Sequence, residues 1–381
     1  MLYTRKPALL PETSILARGF VTGGAALLLM SGTALAATPG KWSSADRLRA
    51  SREFTTATLL PQGQVLVVGG FGYDGFLATS ELFNPAKNKW NNASPLATPR
   101  FAQTATLLAT GKVLVVGGAN LDDGFLASAE LYDPESGTWS PAGKLRTARN
   151  NHTATLLADG RVLIAGGLGD DVPALASAEL YDPATNSWSR AARMKQSRYH
   201  LAATALADGR VLVTGGQTRA GTVRNSAEVY DPAKNRWRNA GRMRTRRVNH
   251  TATLMFDGRV LMVGGGDRAP GFTARVERYS PTTNRFTFVR GLVTARGFHT
   301  ATLTADGRVL VTGGFGDSSA LASTELYDRS RNRWRPGGKL RIARAHHTAT
   351  LLSDGSVLVA GGARYSGTLV PAAQRYRLRS R

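Results

Sequence analysis

The sequence predicts an all-β fold, a seven-bladed β-propeller with four antiparallel strands in each blade. Two observations predict it: a glycine pair and an aromatic residue each recur seven times, at intervals of 48 or 49 residues. The glycine pairs begin at Gly69, Gly117, Gly166, Gly215, Gly264, Gly313 and Gly361. The aromatic residues are Trp42, Trp90, Trp139, Trp188, Trp237, Phe286 and Trp334. Because these periods fill residues 37–381, we expect one domain there.

Each repeat is predicted to contain four short strands, which we label A to D, and the third repeat shows them clearly. Strand A is expected at residues 152–157, followed by a two-residue Asp159-Gly160 turn and strand B at 161–165. Strand C is expected at 178–181, and strand D carries Trp188. The alanine that recurs within strand A suits strands that crowd around a central axis, whereas the Tyr and Trp rings suit the wider gaps between blades.

The order of residues within a repeat resembles the kelch motif. A glycine doublet, Gly166-Gly167, is followed by Glu179-Leu180-Tyr181 and then by Trp188. Departures from the motif are few, with Phe83 in place of Tyr, Phe286 in place of Trp and Gln374 in place of Glu. The resemblance implies a kelch-type propeller, related in fold to the central domain of galactose oxidase.

The two ends of the repeat region predict how the ring closes. Lys41-Trp42 has the pattern of strand D without a preceding A, B or C. Residues 374–376 have the pattern of strand C, and no strand D follows them. We therefore expect the N-terminal strand to complete the last blade, which removes exposed sheet edges.

Composition excludes several classes of protein. The chain has 381 residues, 42% hydrophobic and 20% charged, which is typical of a packed globular protein and not of a disordered one. It contains no cysteine, so disulfides, thiolate metal sites and cysteine nucleophiles are excluded. We predict no cofactor, no metal site and a monomeric state.

Residues 1–36 are predicted to be a signal peptide. Arg5, Lys6 and Arg18 form a basic region, a mostly apolar stretch follows at 20–35, and Ala34-Leu35-Ala36 resembles a cleavage site. The alternative is a membrane anchor, but glycine, serine and threonine interrupt the apolar stretch. We therefore expect a secreted or periplasmic protein, with the segment either cleaved or retained.

One face of the predicted propeller carries the variable loops, and we call it the mouth face. The D-to-A and B-to-C connections lie there, because successive antiparallel strands turn at alternate ends. The B-to-C loops differ between repeats in length and content, as expected of a binding surface on a constant scaffold. Their candidate ligand-binding residues are Tyr73, Asp74, Asp122, Asp123, Asp170, Asp171, Asp267, Asp317 and Tyr365.

Basic residues concentrate in the D-to-A loops of the same face. The formal net charge is +23, and one arginine recurs in all seven repeats, 17 residues before the glycine pair. These candidates are Arg52, Arg100, Arg149, Arg198, Arg247, Arg296 and Arg344, joined by Arg49, Arg146, Lys195, Arg244 and Arg341. Arg47, Lys144, Arg193, Arg242 and Lys339 complete the set. Such a ring predicts salt-sensitive binding of a polyanion.

Structural roles remain open for several of these residues. The recurrent arginine could pair with the recurrent strand-C glutamate, and the other basic residues could form a solvated face. The histidines at 152, 250, 299 and 347 share one position, and His200 and His346 precede it by one residue in their repeats. They could converge on the axis for metal binding or catalysis, but repetition favours a structural role.

The function predicted from these features is binding. We expect a module whose basic face recognises an anionic glycan, another polyanion or an acidic protein segment. Nucleic acid is disfavoured as a specific partner, because aromatic residues are not interleaved regularly with the basic ones. The alternative is a carbohydrate-active enzyme, an epimerase or an oxidase-like protein, acting at the mouth. The tyrosine–cysteine cofactor of enzymes similar to galactose oxidase cannot form without cysteine.

Overall fold

The computed structural model describes residues 40–170, 174–267 and 271–378, so the predicted signal peptide lies outside the described residues. The described chain folds into seven four-stranded antiparallel sheets and two small hairpins. Each sheet is one blade, which confirms the predicted fold class. Within these three ranges, no helix is long and apolar enough to cross a bilayer.

The strands follow the predicted A-to-D order in every blade. Blade 1 has Thr56–Leu59, Val65–Val68, Ser80–Asn84 and Lys89–Ala93. Blade 2 has Thr104–Leu107, Val113–Val116, Ser128–Asp133 and Thr138–Lys144. Blade 3 has Thr153–Leu156, Val162–Ala165, Ala178–Asp182 and Ser187–Ala191. Blade 4 has Ala202–Ala205, Val211–Thr214, Ser226–Asp231 and Arg236–Arg242.

The remaining blades repeat this arrangement. Blade 5 has Thr251–Leu254, Val260–Val263, Val276–Ser280 and Arg285–Val289. Blade 6 has Thr300–Leu303, Val309–Thr312, Ser323–Asp328 and Arg333–Lys339. Blade 7 has Thr348–Leu351, Val357–Ala360, Ala373–Arg377 and, from the N-terminal end, Lys41–Ala45. Two B-to-C loops contain the hairpins Phe71–Gly72 with Gly75–Phe76 and Ala119–Asn120 with Gly124–Phe125.

Ring closure occurs as predicted. Lys41–Ala45 pairs antiparallel with Ala373–Arg377, and Trp42 lies opposite Tyr376. The Trp42 indole N–H donates to the carbonyl of Gly337 in blade 6 at 3.2 Å. The N-terminal strand therefore joins blade 7 and also contacts blade 6.

The A-to-B turn differs from the predicted two-residue hairpin. In blade 3 the last paired residues are Leu157 and Arg161, joined by a 2.8 Å bond from the Leu157 N–H to the Arg161 carbonyl. The loop therefore has three residues and ends at Gly160, whose φ is +86°. A left-handed glycine closing a three-residue loop is a common hairpin geometry, so the Asp-Gly pair does lie in a turn but the predicted turn type was wrong.

Apolar side chains between neighbouring blades form the core. Tyr181 of blade 3 is buried against Leu114 and Val116 of blade 2, and Trp188 packs against the same cluster. The Trp188 indole N–H donates to the carbonyl of Ala142 at 2.7 Å. The aromatic rings therefore fill the gaps between blades and satisfy their polar atoms there.

The glycine pair allows adjacent blades to approach closely. The N–H of Gly167 in blade 3 donates to the carbonyl of Arg198, which precedes blade 4, at 2.9 Å. The equivalent bond occurs at all seven junctions, at 2.8 to 2.9 Å, including the one from Gly362 to Arg52 that closes the ring. A Cβ on Gly166 would lie 2.6 Å from the same Arg198 oxygen. Only glycine fits here.

Gly166→Ala is therefore expected to lower the free energy of unfolding by about 3 kcal/mol. The alanine would be forced into a left-handed backbone conformation, and its Cβ would clash with the Arg198 carbonyl oxygen. Gly160→Ala is the matched control, because Gly160 also has a positive φ but a Cβ added to it would meet no atom within 4 Å. That control should cost about 1 kcal/mol. Urea unfolding of both variants checks the difference, and equal losses would contradict the role of the junction.

Candidate functional site

The recurrent arginines are buried and hold the loops of the mouth face in place. Arg149 donates to the carbonyls of Gly166 at 2.9 Å and Ser177 at 3.2 Å, and to Glu179 Oε1 at 2.8 Å. The same ion pair forms at Arg52, Arg100, Arg198, Arg247 and Arg296, with Glu81, Glu130, Glu228, Glu277 and Glu325. All these arginines, and Arg344, are 0% exposed. Their guanidinium groups face the protein interior, which corrects their place among the ligand-binding candidates.

Each glutamate also fixes the backbone of the incoming D-to-A loop. Glu179 accepts the N–H groups of Arg146 at 2.8 Å and Thr147 at 3.3 Å, in addition to the Arg149 guanidinium. Burial lowers the pKa of Arg149, and the neighbouring Glu179 carboxylate opposes that shift. The ion pair and the two backbone bonds together anchor the loop to strand C.

Blade 7 lacks this ion pair, because Gln374 replaces the glutamate. The Gln374 side-chain oxygen accepts the N–H of Arg341 at 3.0 Å. Arg344 Nη2 and Gln374 Nε2 are both buried, and neither has a hydrogen-bond partner in the described part of the chain. Without a carboxylate to oppose desolvation, burial lowers the pKa of Arg344 to about 10.

The other ten basic residues predicted for the mouth face are exposed. They are Arg47, Arg49, Lys144, Arg146, Arg193, Lys195, Arg242, Arg244, Lys339 and Arg341. Among the ion pairs of the described residues, none involves any of these ten. We call this set the basic rim. Exposed aspartates of the B-to-C loops lie on the same face.

Most of the candidate residues of the B-to-C loops are exposed, and three of them make hydrogen bonds within the loops. Tyr73, Asp74, Asp122, Asp123, Asp170, Asp317 and Tyr365 are exposed, Asp267 is half-buried, and Asp171 lies outside the described residues. Asp123 accepts an amide N–H of Asn120 at 2.9 Å, and Asp317 accepts the N–H of Phe272 at 3.1 Å. The Tyr73 hydroxyl accepts the N–H of Leu369 at 3.1 Å. These three side chains stabilise loops.

Four of the histidines are buried near the start of strand A. His152 Nε2 lies 2.9 Å from Thr104 Oγ1, and His347 Nε2 lies 3.1 Å from Thr300 Oγ1. Burial, with a smaller effect from nearby arginine charges, lowers the pKa of His152, His250 and His347 to about 3 and that of His299 well below its usual value. They are therefore neutral near pH 7, as a structural role requires.

A ring of left-handed residues surrounds the axis at the mouth face. One residue of each blade, two positions after the recurrent arginine, has φ between +49° and +54°. The seven are Phe54, Ala102, Asn151, His200, Asn249, Phe298 and His346. The N–H of each donates to the carbonyl of the preceding member at 3.2–3.3 Å, so the hydrogen bonds form a closed circle. This conformation is unfavourable for bulky residues such as Phe, and strain of this kind is concentrated at functional sites.

Aromatic side chains from this ring and the B-to-C loops meet at the mouth and form what we call the aromatic cluster. His346 stacks on Phe54 with ring centroids 3.9 Å apart. Phe298 and Phe315 lie nearly perpendicular to the His346 ring, with centroids 4.6 and 5.2 Å from its own. Further members are Phe76, Phe101, Phe272, Tyr199, His200 and Tyr365. Most of these rings are half-buried, and Tyr365 is 57% exposed. A patch of this composition is typical of a binding surface.

Glu53 and His346 form a carboxylate–imidazole pair within the aromatic cluster. Glu53 Oε2 lies 2.8 Å from His346 Nδ1. His346 Nε2 is buried and has no hydrogen-bond partner among the described residues. The pair joins blade 1 to blade 7 across the closure of the ring.

A cavity of about 310 Å³ lies on the axis. Its wall consists of the left-handed residues and their immediate successors in six blades, including His200, Asn249 and Phe298. Imidazole, amide and phenyl groups therefore surround an axial space that small polar groups of a ligand could enter.

Sequence reasoning missed the left-handed ring and the aromatic cluster. The available signal was variation: the two positions that follow the recurrent arginine differ between repeats, and they include Phe54, His200 and Phe298. Phe101 and Tyr199, which precede two ring members, were visible as aromatic neighbours of the recurrent arginines. Their convergence with residues far away in the sequence was not visible.

The fold is similar to that of a solved structure described as a novel fungal alcohol oxidase of the AA5 family in complex with copper. The two share 20% sequence identity with a TM-score of 0.73, over 89% of this chain and 76% of that one. The residues of this chain do not fit a copper site of the cysteine-containing kind, since it has no cysteine. Among the described residues, no three His, Asp or Glu side chains are grouped to hold a metal ion.

Comparison of the sequence with known proteins gives the family. No curated protein matches the chain. The profile described as the Kelch motif matches residues 100–146, and the profile described as the attractin/LZTR1 beta-propeller matches residues 170–376, more than half of the chain. The chain therefore belongs to the attractin/LZTR1 family of kelch β-propellers.

Proposed function

We propose that this kelch propeller, a fold of interaction modules, binds an acidic glycan through its mouth face. One observation carries the proposal: the half-buried aromatic cluster lies at the axis of the same face that bears the basic rim. Aromatic rings offer apolar surface to the faces of sugar rings, and exposed arginines and lysines attract carboxylate or sulfate groups.

The arrangement of the aromatic cluster favours a glycan over nucleic acid. Many of its rings contact one another edge to face, as in the pairs Phe54–Phe101 at 80° and Phe298–Phe315 at 72°. Base-stacking proteins instead present a series of open ring faces along a groove. A compact cluster supplies a short apolar platform, which suits one or two sugar units flanked by anionic groups.

Export is the second part of the proposal, and residues 1–36 support it. Their basic start, apolar stretch and Ala34-Leu35-Ala36 sequence are typical of a signal peptide. An exported protein would meet acidic glycans outside the cytoplasm. Fractionation of cells that produce the full chain, followed by N-terminal sequencing, is expected to give a mature protein beginning near residue 37. Retention of the intact chain in the cytoplasm would contradict export.

Charge reversal on the basic rim tests the proposed ligand. We expect an oligogalacturonide to bind and maltoheptaose not to bind, with affinity falling at least about tenfold between roughly 50 and 200 mM salt. Replacing Arg146, Arg244 and Arg341 by Glu should abolish binding in titration calorimetry. The matched control replaces Lys89, Arg236 and Arg333 by Glu. These residues are exposed at the opposite ends of D strands, and the two triple variants have the same net charge. Equal affinity of the two variants would contradict the assignment, as would preferential binding of single-stranded DNA.

The contribution of the aromatic cluster is tested separately with Phe298→Asn. Asn151 and Asn249 occupy the same ring position in other blades with φ near +50°, and Asn tolerates this conformation better than Phe. The variant should therefore be at least as stable as the wild type but bind the oligogalacturonide about tenfold more weakly. Unchanged affinity would limit the site to the basic rim.

A carbohydrate-active enzyme is the second candidate, and the Glu53–His346 pair is the observation that favours it. A carboxylate bound to imidazole Nδ1 is an arrangement suited to proton transfer at Nε2. Here, however, His346 Nε2 is inaccessible, and Phe298 and Phe315 pack nearly perpendicular to its ring. Binding therefore has stronger support than catalysis. Turnover of a panel of uronic and neutral sugars that is lost in His346→Gln would favour the enzyme.

A further inference from the structure

Blade 5 departs from blades 1 to 4 and 6 on the side that faces blade 6. Blade 7 also has an arginine at the position concerned, Arg375, but that arginine is paired with Asp354 at 2.6 Å. Arg278 lies in strand C at the position of a leucine in blades 1, 2, 3 and 6, namely Leu82, Leu131, Leu180 and Leu326. Those strands place an aliphatic side chain between neighbouring blades, as Leu180 does in the core shared by blades 3 and 4. Arg278 instead puts a charged group at the outer part of the layer between blades 5 and 6, whose core includes Leu261 and Tyr327.

A carboxylate present in other blades is missing beside Arg278. Strand C ends in Asp133, Asp182, Asp231 and Asp328 in blades 2, 3, 4 and 6, but in Ser280 in blade 5. In blade 2 this aspartate neutralises the basic residue at the start of strand B, because Lys112 Nζ lies 3.0 Å from Asp133 Oδ2. Ser280 supplies a hydroxyl group without the charge.

A second neutralising contact in blade 5 is also weakened. In blade 3, Arg161 is paired with the turn residue Asp159 at 2.7 Å. The equivalent distance from Arg259 to Asp257 in blade 5 is 3.9 Å, because Asp257 instead pairs with Arg329 of blade 6 at 3.1 Å. The Arg259 guanidinium is therefore only loosely held by its turn aspartate.

These changes meet at a cavity of about 410 Å³ on the outer side of blade 5. Three guanidinium groups and three hydroxyl groups line it, those of Arg259, Arg278, Arg285, Ser280, Thr283 and Thr287. No carboxylate is among the lining residues. Strand pairing keeps the arrangement fixed, since Arg278 lies opposite Thr287, and Ser280 lies opposite Arg285.

We infer that this cavity is a binding site for a tetrahedral oxyanion, a phosphate or sulfate group, either free or as an ester. Guanidinium groups donate paired hydrogen bonds to such oxyanions, and serine and threonine hydroxyls donate further bonds. The volume exceeds that of the anion alone and leaves room for a small organic group. The site lies at the end of the blade that carries the C-to-D turn, opposite the mouth face, and is independent of the proposed glycan surface.

The site is tested by calorimetric titration of the full chain with inorganic phosphate, sulfate and glycerol 3-phosphate in chloride buffer of matched ionic strength. We expect saturable binding of at least one of them by the wild type. Comparable binding of phosphate and sulfate would assign recognition to charge and shape, and tighter binding of glycerol 3-phosphate would assign it to an ester. Absence of binding of all three at low-millimolar concentration would overturn the inference.

Substitutions that introduce residues found at the equivalent positions of other blades test which side chains bind the oxyanion. Ser280→Asp restores the missing carboxylate, Arg278→Leu restores the usual aliphatic residue, and each should weaken binding by at least about tenfold. Arg285→Leu should do the same, whereas Arg333→Leu, at the equivalent position of blade 6, should have no effect. The triple reversal of Arg146, Arg244 and Arg341 should also leave oxyanion binding intact, so failure of the glycan proposal is distinguishable from failure of this one. Wild-type affinity in both Ser280→Asp and Arg285→Leu would overturn the assignment.

Discussion

Glu277→Gln is expected to lower the free energy of unfolding by about 3 kcal/mol, whereas the reverse change in blade 7, Gln374→Glu, should raise it. Glu277 is 0% exposed and accepts three hydrogen bonds, from the N–H groups of Arg244 and Thr245 and from the Arg247 guanidinium. An amide has one acceptor oxygen in place of two, so Gln at this position leaves one buried donor without a partner.

Blade 7 shows the consequence of that substitution in the native chain. Arg344 Nη2 and Gln374 Nε2 are left without partners among the described residues, and rotating the Gln374 amide would move the mismatch to the N–H of Arg341. A carboxylate would accept from both Arg344 Nη2 and the N–H of Arg341, and it would neutralise the buried arginine. Gln374→Glu should therefore raise the free energy of unfolding by about 2 kcal/mol.

Urea unfolding of the two single variants and the double variant measures these changes. Glu277 and Gln374 belong to different blades and share no partner, so the two effects should add. A loss of stability in Gln374→Glu would contradict the role given to the arginine–glutamate pair.

Acidification from pH 7 to pH 5 is expected to cost about 5 kcal/mol of stability through the buried histidines. The pKa of His152, His250 and His347 is about 3 in the folded protein, where burial disfavours the charged ring, against an ordinary value near 6.5. Between those values the unfolded chain binds protons that the folded chain does not. Stability is therefore retained above about pH 7 and lost as the pH falls below about 6.5.

Leucine at the same register position provides the matched variant. Leu201 of blade 4 occupies the position of His152 and His347 and is 9% exposed. His152→Leu with His347→Leu should flatten the dependence of the urea midpoint on pH between 7 and 5, by about 1 kcal/mol per pH unit for each histidine removed. An unchanged slope would show that other groups cause the acid sensitivity.

The fold was predictable because its determinants recur at fixed spacing. Gly166-Gly167 and Trp188 return in every repeat or nearly so, and Lys41-Trp42 matches the missing strand of blade 7. The A-to-B turn was less predictable, because an Asp-Gly pair occurs in both two-residue and three-residue loops.

The candidate site was predictable only in part, since it depends on residues from distant repeats. The positive charge of Arg146 and Arg149 was equally visible in the sequence, but one side chain is exposed and the other is fully buried beside Glu179. Phe54 and His346 lie 292 positions apart and stack only because the ring closes. The left-handed backbone of Phe54 was not predictable from its residue type, because Phe normally avoids this conformation.

Hydrogen–deuterium exchange in the presence of an oligogalacturonide tests the central claim, that the mouth face is the recognition surface. We predict slower exchange at residues 46–55 and 341–347, which carry basic-rim residues, Phe54 and His346. Exchange at the opposite turns, such as 159–161 and 233–236, should be unchanged. Protection confined to those turns, with none on the D-to-A loops, would contradict the claim.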